Sequence, residues 1–398
     1  MIRWYLVALT ALVACAMPEV AAAALFNRVV TLGDSLMDDP AGTRSPLASE
    51  QVADRLGAPL VQLAKSGSTS DSLLADGQHS TAAANFGPGD LALLWIGGND
   101  FFYASIGIGF GGQGIVDDLA ANVDEILGTL RSAGMDVVVF NLPDMAQVPL
   151  IQTTVAAVTP FNILRQAILN NFTASSAAWG ARLDQLAAQH GATVVDVFSL
   201  FNQRLADPQA FAILDRPVSL GPQFGGQFAV FADNIHPSAY IQGVIANEAL
   251  AAISAAYDPQ GATPLAPLSV PELAPLVNLL AGDFSGGGTV DGADLTIWKS
   301  GFGRGPGVAA GSHATGDAND DNRVDGSDFL VWQRELGRSI AAAAATTAVP
   351  EPDLLLLIAA APVVARIYNR GPSKRAKLSA ARRPAGRARW VSKSISSD

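Results

Sequence analysis

The sequence predicts an α/β protein, with a three-layer α/β/α domain built on a parallel sheet of about five strands. Two observations support this. Short apolar, β-branched runs alternate with longer helical stretches, as in βαβ units. Several of the short runs also end in glycine or a small polar residue. We expect strands near residues 28–34, 59–64, 91–97, 137–142 and 193–198, and helices near 46–56, 114–133, 161–189 and 238–255.

The first strand carries a candidate nucleophile. Val29–Leu32 is a short apolar run that ends in Gly33-Asp34-Ser35-Leu36, which indicates a buried strand breaking into a turn. A serine at such a turn stands off the sheet edge, and a neighbouring base would make its hydroxyl nucleophilic. The alternative is that Asp34 or Ser35 only caps a helix beginning near Leu36.

Two later turns carry candidate hydrogen-bond donors. The strand at 91–97 leads into Gly98-Asn99-Asp100, where glycine lets the backbone approach a ligand. The Asn99 amide is an uncharged donor suited to an oxyanion that forms only in the transition state. Gly67 follows the strand at 59–64 and offers its N–H. The alternative for both is a simple turn.

Asp233 and His236 form a candidate base pair. Pro237 disfavours a helical conformation at His236 and suits the first turn of the following helix. A carboxylate three residues before the imidazole can bind one ring nitrogen while the other faces outward. The alternative is a surface histidine beside a helix cap. The other histidines are interpreted as structural or surface residues: His79, His190 and His313.

Together these stretches resemble the SGNH, or GDSL, serine hydrolases over residues 25–258. The matching segments are Gly33–Leu36, Gly67, Gly97–Asp100 and Asp233–His236, and Asn141–Asp144 resembles the lipolytic, lecithinase-like branch. The resemblance implies Ser35 as nucleophile, His236 as base and Asp233 as its orienting carboxylate. It also implies an oxyanion hole formed by the Ser35 N–H, the Gly67 N–H and the Asn99 side chain.

The implied function is an exported serine esterase without a catalytic cofactor. It would cleave carboxylic esters of lipids or short acyl chains through an acyl-Ser35 intermediate. Deacetylation of polysaccharide acetyl esters is the first alternative, and an inactive binding or scaffold component is the second. The chain contains no Gly-x-Ser-x-Gly, which argues against a nucleophile-elbow hydrolase. One cysteine and no clustered histidines argue against a zinc enzyme.

Charge argues against a nucleic-acid substrate. The formal net charge is −11, but residues 366–398 carry ten Lys/Arg against one Asp, so the rest of the chain is strongly acidic. Residues 1–24 resemble a secretory signal, which predicts a bacterial protein that is extracellular or attached to the cell envelope. A lipobox-like segment ending at Cys15 offers lipoprotein anchoring as the alternative.

A repeat follows a predicted proline-rich linker at 259–278. Asp283, Asp291, Asp294 and Trp298 recur 34 residues later as Asp317, Asp325, Asp328 and Trp332. The spacing predicts two calcium loops, because positions 1, 3, 5, 7, 9 and 12 present oxygens to one cation. The second, predicted to be the stronger, comprises Asp317, Asn319, Asp321, the Arg323 carbonyl, Asp325 and Asp328. The first comprises Asp283, Ser285, the Thr289 carbonyl, Asp291 and Asp294.

Residues 279–337 resemble a type I dockerin, a small all-α unit of paired calcium loops and helices. The resemblance implies Ca²⁺ binding and docking to a cohesin-bearing partner. After an Ala/Thr linker at 338–349, residues 350–370 resemble a PEP-CTERM sorting segment, and 371–398 form a basic tail. We expect the C-terminal segment to make transient contact with a membrane.

Overall fold

The structure is a computed structural model that describes residues 25–106, 113–205, 207, 211–219, 228–261 and 265–340. The predicted signal segment with Cys15, the PEP-CTERM-like segment and the basic tail lie outside the described residues, as does most of the Ala/Thr linker.

The centre of the N-terminal domain is a five-stranded sheet, and every neighbouring pair of strands is parallel. The strands are β1 (Arg28–Gly33), β2 (Leu60–Gln62), β3 (Asp90–Trp95), β4 (Asp136–Phe140) and β5 (Thr193–Val195), in the order β2-β1-β3-β4-β5. Strands β1, β3 and β4 are almost wholly buried and rich in valine and leucine, as expected for parallel strands covered on both faces. The predicted five-stranded parallel sheet is confirmed.

Helices cover both faces of the sheet. They are α1 (Ala48–Leu56), α2 (Ser70–Ala75), α3 (Gln78–Asn85), α4 (Gly98–Ile106), α5 (Gln113–Ser132), α6 (Pro149–Val158), α7 (Asn162–His190), α8 (Val197–Leu205) and α9 (Ala239–Tyr257). Right-handed crossovers place α1 on one face and α3, α5 and α7 on the other, because the chain reverses direction after β2. Accordingly, α1 packs with α9, and α5 packs with α3 and α7.

The reversal of strand order creates a crevice between β1 and β3. From β1 the chain moves outward to β2, and it then returns across β1 to reach β3. The loops that follow β1 and β3 therefore diverge at the carboxyl edge of the sheet, where open α/β sheets bind ligands. Ser35 follows β1 and Asn99 follows β3, so both lie at this switch point.

The segment predicted as a linker packs onto the sheet domain from Leu265 onward. It contains the helical turn α10 (Val270–Leu273) and a 3₁₀ turn at Ala274–Val277, and Leu273, Ala274 and Val277 are buried. The Leu268 N–H donates to Asn247 Oδ1 at 2.6 Å. The Pro-, Ala- and Leu-rich segment thus packs against α9. It does not act as a spacer that holds the C-terminal unit away from the domain.

The C-terminal unit is an internal duplication. Each acidic loop leads into a helix, α11 (Gly292–Gly301) or α12 (Gly326–Glu335). The Trp298 indole donates to the Asp325 carbonyl at 2.9 Å, and the Trp332 indole donates to the Asp291 carbonyl at the same distance. The two copies therefore exchange equivalent hydrogen bonds across a pseudo-twofold axis. No helix in the described part of the chain is both long and apolar enough to span a bilayer.

We expect Gly33→Ala to destabilise the fold by about 3 kcal/mol or more. A Cβ atom at Gly33 would lie 1.9 Å from the Trp95 carbonyl oxygen, and φ is +133°. Gly42→Ala is the matched control, because Gly42 also has positive φ (+65°) but open space around it. It should lose only about 1 kcal/mol, the usual penalty of a left-handed alanine. Urea unfolding measures both, and equal losses would contradict the role of the close approach.

Candidate active site and acidic loops

The Ser35 turn is positioned by backbone contacts at the end of β1. The Asp34 N–H donates to the Trp95 carbonyl at 3.3 Å, and Asp34 Oδ1 accepts the Leu36 N–H at 2.9 Å. The Arg44 guanidinium donates to the Ser35 carbonyl at 2.7 Å from a nearly buried position. The turn is therefore fixed on both sides of Ser35, and the serine side chain lies in the crevice.

His236 reaches Ser35 from a loop 201 residues away in sequence. The loop closes on itself, because the Ala232 N–H donates to the His236 carbonyl at 2.8 Å. The predicted helix follows as α9, but it begins at Ala239 with Ser238 as N-cap, so Pro237 precedes the helix and does not lie in its first turn. A further hydrogen bond connects this loop to the start of α6 at the rim of the site: the Leu150 N–H donates to the Asn234 carbonyl at 2.7 Å.

Ser35, His236 and Asp233 form one hydrogen-bonded row. His236 Nε2 lies 2.8 Å from Ser35 Oγ, and His236 Nδ1 lies 2.7 Å from Asp233 Oδ2. Asp233 Oδ1 accepts the N–H groups of Ile235 and His236, each at 2.8 Å. The structure thus brings together the three residues that the sequence pattern singled out as nucleophile, base and orienting carboxylate.

Asp233 is kept ionised by its partners. Partial burial acts to raise its pKa, but the hydrogen bond and charge of His236 and the two backbone N–H donors outweigh burial and hold the pKa below its usual value. A carboxylate in this position fixes the imidazole tautomer that carries its proton on Nδ1. The Nε2 lone pair then faces the serine hydroxyl.

The candidate oxyanion donors are placed differently from one another. Asn99 lies in the pocket with Ser35 and His236, and its amide donates to the Ser68 carbonyl at 3.0 Å. Gly67 occupies a turn with φ +82° that is closed by a bond from the Ser68 N–H to the Lys65 carbonyl. Gly67 is exposed and does not line the pocket, so the geometry supports Asn99 as an oxyanion donor more directly than Gly67.

The family model of the GDSL-like lipase/acylhydrolases matches residues 31–242, more than half of the chain. The chain belongs to this family. It is an ester-hydrolysing enzyme, and the matched region contains strands β2 to β5, the end of β1, the Ser35 turn and the Asp233–His236 loop. A comparison with curated proteins finds no match.

Solved structures similar to this GDSL-like hydrolase each cover 57% of its chain. A lipolytic G-D-S-L family protein from Veillonella parvula is 15% identical with a TM-score of 0.39, covering 57% of this chain and 98% of its own. An acetylxylan esterase from Geobacillus stearothermophilus is 16% identical, with a TM-score of 0.38 and coverages of 57% and 94%. A putative SGNH hydrolase from Slackia heliotrinireducens is 16% identical, with a TM-score of 0.37 and coverages of 57% and 99%.

The pocket beside Ser35 is lined mainly by apolar side chains. Besides Asp34, Ser35, Gly98, Asn99 and His236, the lining comes from apolar residues of many elements: Leu36, Trp95, Leu142, Pro143, Met145, Val148, Val197, Phe201, Phe231, Ile235 and Pro237. Leu142 and Pro143 belong to the Asn-Leu-Pro segment, and Leu36, Ile235 and Pro237 belong to the motifs around Ser35 and His236. The sequence does not single out the others, such as Met145 or Phe201, because an apolar residue at a strand end looks like any core residue. The sequence feature that could have pointed to some of these residues is their position directly after β3, β4 or β5.

Asp34 is a buried carboxyl in the pocket that sequence analysis considered only as a helix cap. Its side chain is 1% exposed, and Oδ2 has no hydrogen-bond partner. Burial raises the pKa of Asp34 to about 7; the Leu36 N–H and Arg44 oppose the shift, and the nearby Asp100 adds to it. In the folded enzyme, Asp34 therefore stays protonated at pH values well above those at which a carboxyl group usually ionises.

Asp100 connects the two donor-bearing loops. Its carboxylate accepts the Ser70 hydroxyl at 2.6 Å and the Ser70 N–H at 3.0 Å. Because Asn99 binds the Ser68 carbonyl in parallel, the turn that carries Gly67 is joined to the end of β3 at two points. No pattern in the sequence predicts that Asp100 reaches across the crevice.

The two acidic loops fold alike, with their carboxylates turned toward backbone N–H groups. Asp328 accepts from Ala318 and Asp325, and Asp294 accepts from Ser285 and Asp291, at 2.7–2.9 Å. Asn322, at the position where a calcium loop usually has glycine, has φ +63°. Across the described ranges, no group of three or more His, Cys, Asp or Glu side chains has the arrangement of a metal site.

The donor set of the second loop nevertheless fits a hard cation. Asp317 and Asp328 are both almost fully buried. Burial, followed by the charge of Asp328, raises the pKa of Asp317 to about 6. Two neighbouring buried carboxylates without a cationic side chain form the kind of oxygen-rich site that Ca²⁺ prefers. The Ser327 N–H donates to Asp325 Oδ1 at 2.8 Å, and the Arg323 N–H donates to Asp321 Oδ1 at 2.8 Å.

We expect Asp34→Asn to change how stability depends on pH. Folding raises the pKa of Asp34 from 3.8 to about 7. The contribution of the protonated carboxyl to the free energy of unfolding is therefore complete below pH 3.8 and is lost as the pH rises to about 7. The variant has no such loss, so its stability relative to the wild type should increase across that window by about 1.4 kcal/mol per pH unit.

Urea unfolding between pH 4 and pH 8 checks this prediction. Asp54→Asn, on the exposed side of α1, controls for the loss of one negative charge. A constant difference between Asp34→Asn and the wild type at every pH would show that Asp34 is not protonated in the folded enzyme.

Proposed function

We propose that the enzyme cleaves carboxylic esters of lipids or short acyl chains by nucleophilic catalysis at Ser35. The observation that carries this proposal is the unbroken row from Asp233 through His236 to Ser35, with bonds of 2.7 and 2.8 Å. A serine hydroxyl is a weak nucleophile unless a positioned base removes its proton. The row supplies that base and orients it.

In the acylation step, Ser35 Oγ attacks the ester carbonyl carbon while its proton moves to His236 Nε2. The imidazolium that forms is stabilised by the Asp233 carboxylate. As the C–O bond to the alcohol breaks, His236 returns the proton to the leaving oxygen. The acyl group remains bound to Ser35 Oγ.

In the deacylation step, a water molecule attacks the acyl carbon and gives a proton to His236. The bond to Ser35 Oγ then breaks, the serine recovers the proton, and the acid leaves. Negative charge develops on the carbonyl oxygen in both steps. The Ser35 N–H and the Asn99 amide are the donors best placed at the pocket to stabilise it, with the Gly67 N–H as a third candidate.

The apolar lining of the pocket supports an acyl group as the part of the substrate that is bound there. Side chains such as Trp95, Phe201 and Phe231 offer contact area to a hydrocarbon chain and few hydrogen bonds to a sugar. Acetyl esters on polysaccharides remain the alternative substrate. An acyl-length series separates the two, because a deacetylase loses activity beyond the acetyl group.

We expect Ser35→Ala to lower kcat for p-nitrophenyl esters by at least about 10³-fold, because the nucleophile is removed. Ser80→Ala, whose hydroxyl is exposed on α3, should keep wild-type activity. Initial rates from acetyl to dodecanoyl esters measure both the loss and the chain-length preference. Wild-type turnover in Ser35→Ala would contradict the assignment of Ser35 as nucleophile, whereas no turnover in the wild type would support the inactive-scaffold alternative.

We further propose that the acidic loops of the C-terminal unit bind Ca²⁺, with the 317–328 loop as the stronger site. The support is the duplicated spacing and the burial of neighbouring carboxylates in the second loop. That loop offers Asp317, Asp321, Asp325 and Asp328, one more carboxylate than the first. Docking to a cohesin-bearing partner outside the cytoplasm is the dockerin-like role that such a unit would serve.

Calorimetric titration of the full chain with Ca²⁺ should give two unequal sites, because affinity rises with the number of charged ligands. Asp321→Ala should remove the stronger isotherm, and Asp291→Ala should remove the weaker one. Two equal sites, or a stronger first loop, would contradict the ligand-count argument. No heat of binding in the wild type would overturn the proposal.

A further inference from the structure

A helical hairpin with few charged residues projects from the active-site edge of the sheet. It consists of α6 and α7, joined by a short turn. From Met145 to Ala181 the sequence contains a single charged residue, Arg165, although charged residues make up 15% of the whole chain. The Arg165 guanidinium donates to the Thr159 carbonyl at 3.2 Å, so this charge is used to close the turn.

The turn exposes an apolar tip. We define the tip as residues 156–164, which contain no charged side chain. Phe161 is 71% exposed and Ile163 is 89% exposed, and Val158 and Leu164 are about half-exposed. These are four of the eight large hydrophobic side chains that are strongly exposed in the described residues. A cluster of this kind marks an interaction surface.

The tip lies on the same side of the sheet as Ser35. Helix α7 ends at His190 and leads into β5, so it runs antiparallel to the strands and begins beyond their carboxyl ends. Its Ser176 accepts the Met145 N–H at 3.1 Å, next to the end of β4. From Ser176 back to Asn162 the helix extends about 21 Å further, at about 1.5 Å per residue.

The other arm of the hairpin starts at the pocket rim. Val148 lines the pocket, and the Leu150 N–H is bonded to the Asn234 carbonyl of the loop that carries His236. The base of the hairpin is well packed, since Phe172 is fully buried and its ring contacts Phe101 at 6.5 Å between centroids. The tip is therefore held at a fixed place relative to the site.

We propose that the tip inserts into the surface of a neutral lipid or ester aggregate and thereby brings the pocket to its substrate. This rests on the proposed ester hydrolysis and specifies the substrate as amphiphilic and aggregated. The near absence of charge from Met145 to Ala181 fits an uncharged surface, because the acidic body of the enzyme is repelled by anionic lipid. An exposed phenylalanine with aliphatic neighbours is the side-chain set that buries into a lipid interface.

The experiment is flotation of the full-length enzyme with phosphatidylcholine vesicles. We expect the wild type and Ser35→Ala to float equally, and the double variant Phe161→Ser/Ile163→Ser to bind at least about tenfold more weakly, since it loses the two most exposed apolar side chains of the tip. Val308→Ser/Leu330→Ser removes two side chains that are 83% and 55% exposed in the C-terminal unit, and it should bind like the wild type.

Activity separates docking from catalysis. The double tip variant should hydrolyse soluble p-nitrophenyl acetate at the wild-type rate but lose activity on an emulsified long-chain ester. Equal flotation of the wild type and the tip variant would assign vesicle binding to another part of the chain and overturn the proposal. The proposal would also be overturned if the wild type did not float but sedimented as a dimer while the tip variant was monomeric. The tip would then bind a second copy of the chain.

Discussion

The close approach of β1 and β3 at their carboxyl ends is the constraint on which the site depends. At Gly33 the backbone of β1 lies against the Trp95 carbonyl at a distance that excludes any Cβ atom. Because the strands meet there, the loops that follow them must diverge at once, and the crevice opens between Ser35 and Asn99. The Gln78 amide closes the same junction by bonding the N–H and the carbonyl of Gly33.

Polar cross-links then hold the separate loops in one arrangement. Asn99 and Asp100 bind the turn after β2, and Asn141 joins the end of β4 to Asp196 after β5 at 2.8 Å. Asp233 binds the backbone of its own loop as well as His236. Each cross-link uses a short side chain with few rotamers, so the site is positioned with a small loss of side-chain entropy. Preorganisation of this kind is what stabilisation of an oxyanion requires.

The C-terminal unit is in contact with the catalytic domain. The His313 N–H donates to Asp215 Oδ2 at 2.7 Å, and His313 Nε2 lies 3.1 Å from the Ala281 carbonyl. Burial lowers the pKa of His313, so its ring is neutral and donates to that carbonyl from Nε2. The Asp215 turn has positive φ at both Leu214 and Asp215. A unit connected in this way can keep a fixed orientation relative to the hairpin tip and the pocket.

The sequence by itself determined the sheet and the candidate reactive groups. Leu91–Ile96 is apolar over its whole length, and Val29–Leu32 is apolar except for the β-branched Thr31; such short runs are local information. The Gly33–Leu36 and Asp233–His236 motifs are likewise short and contiguous. The distance between Ser35 and His236, the reach of Asp100 and the burial of Asp34 were decided by tertiary structure, because each joins residues from different loops. The same holds for the exposed tip: an apolar Phe161 or Ile163 predicts a core position, and only the length of α7 beyond the sheet leaves these side chains in solvent.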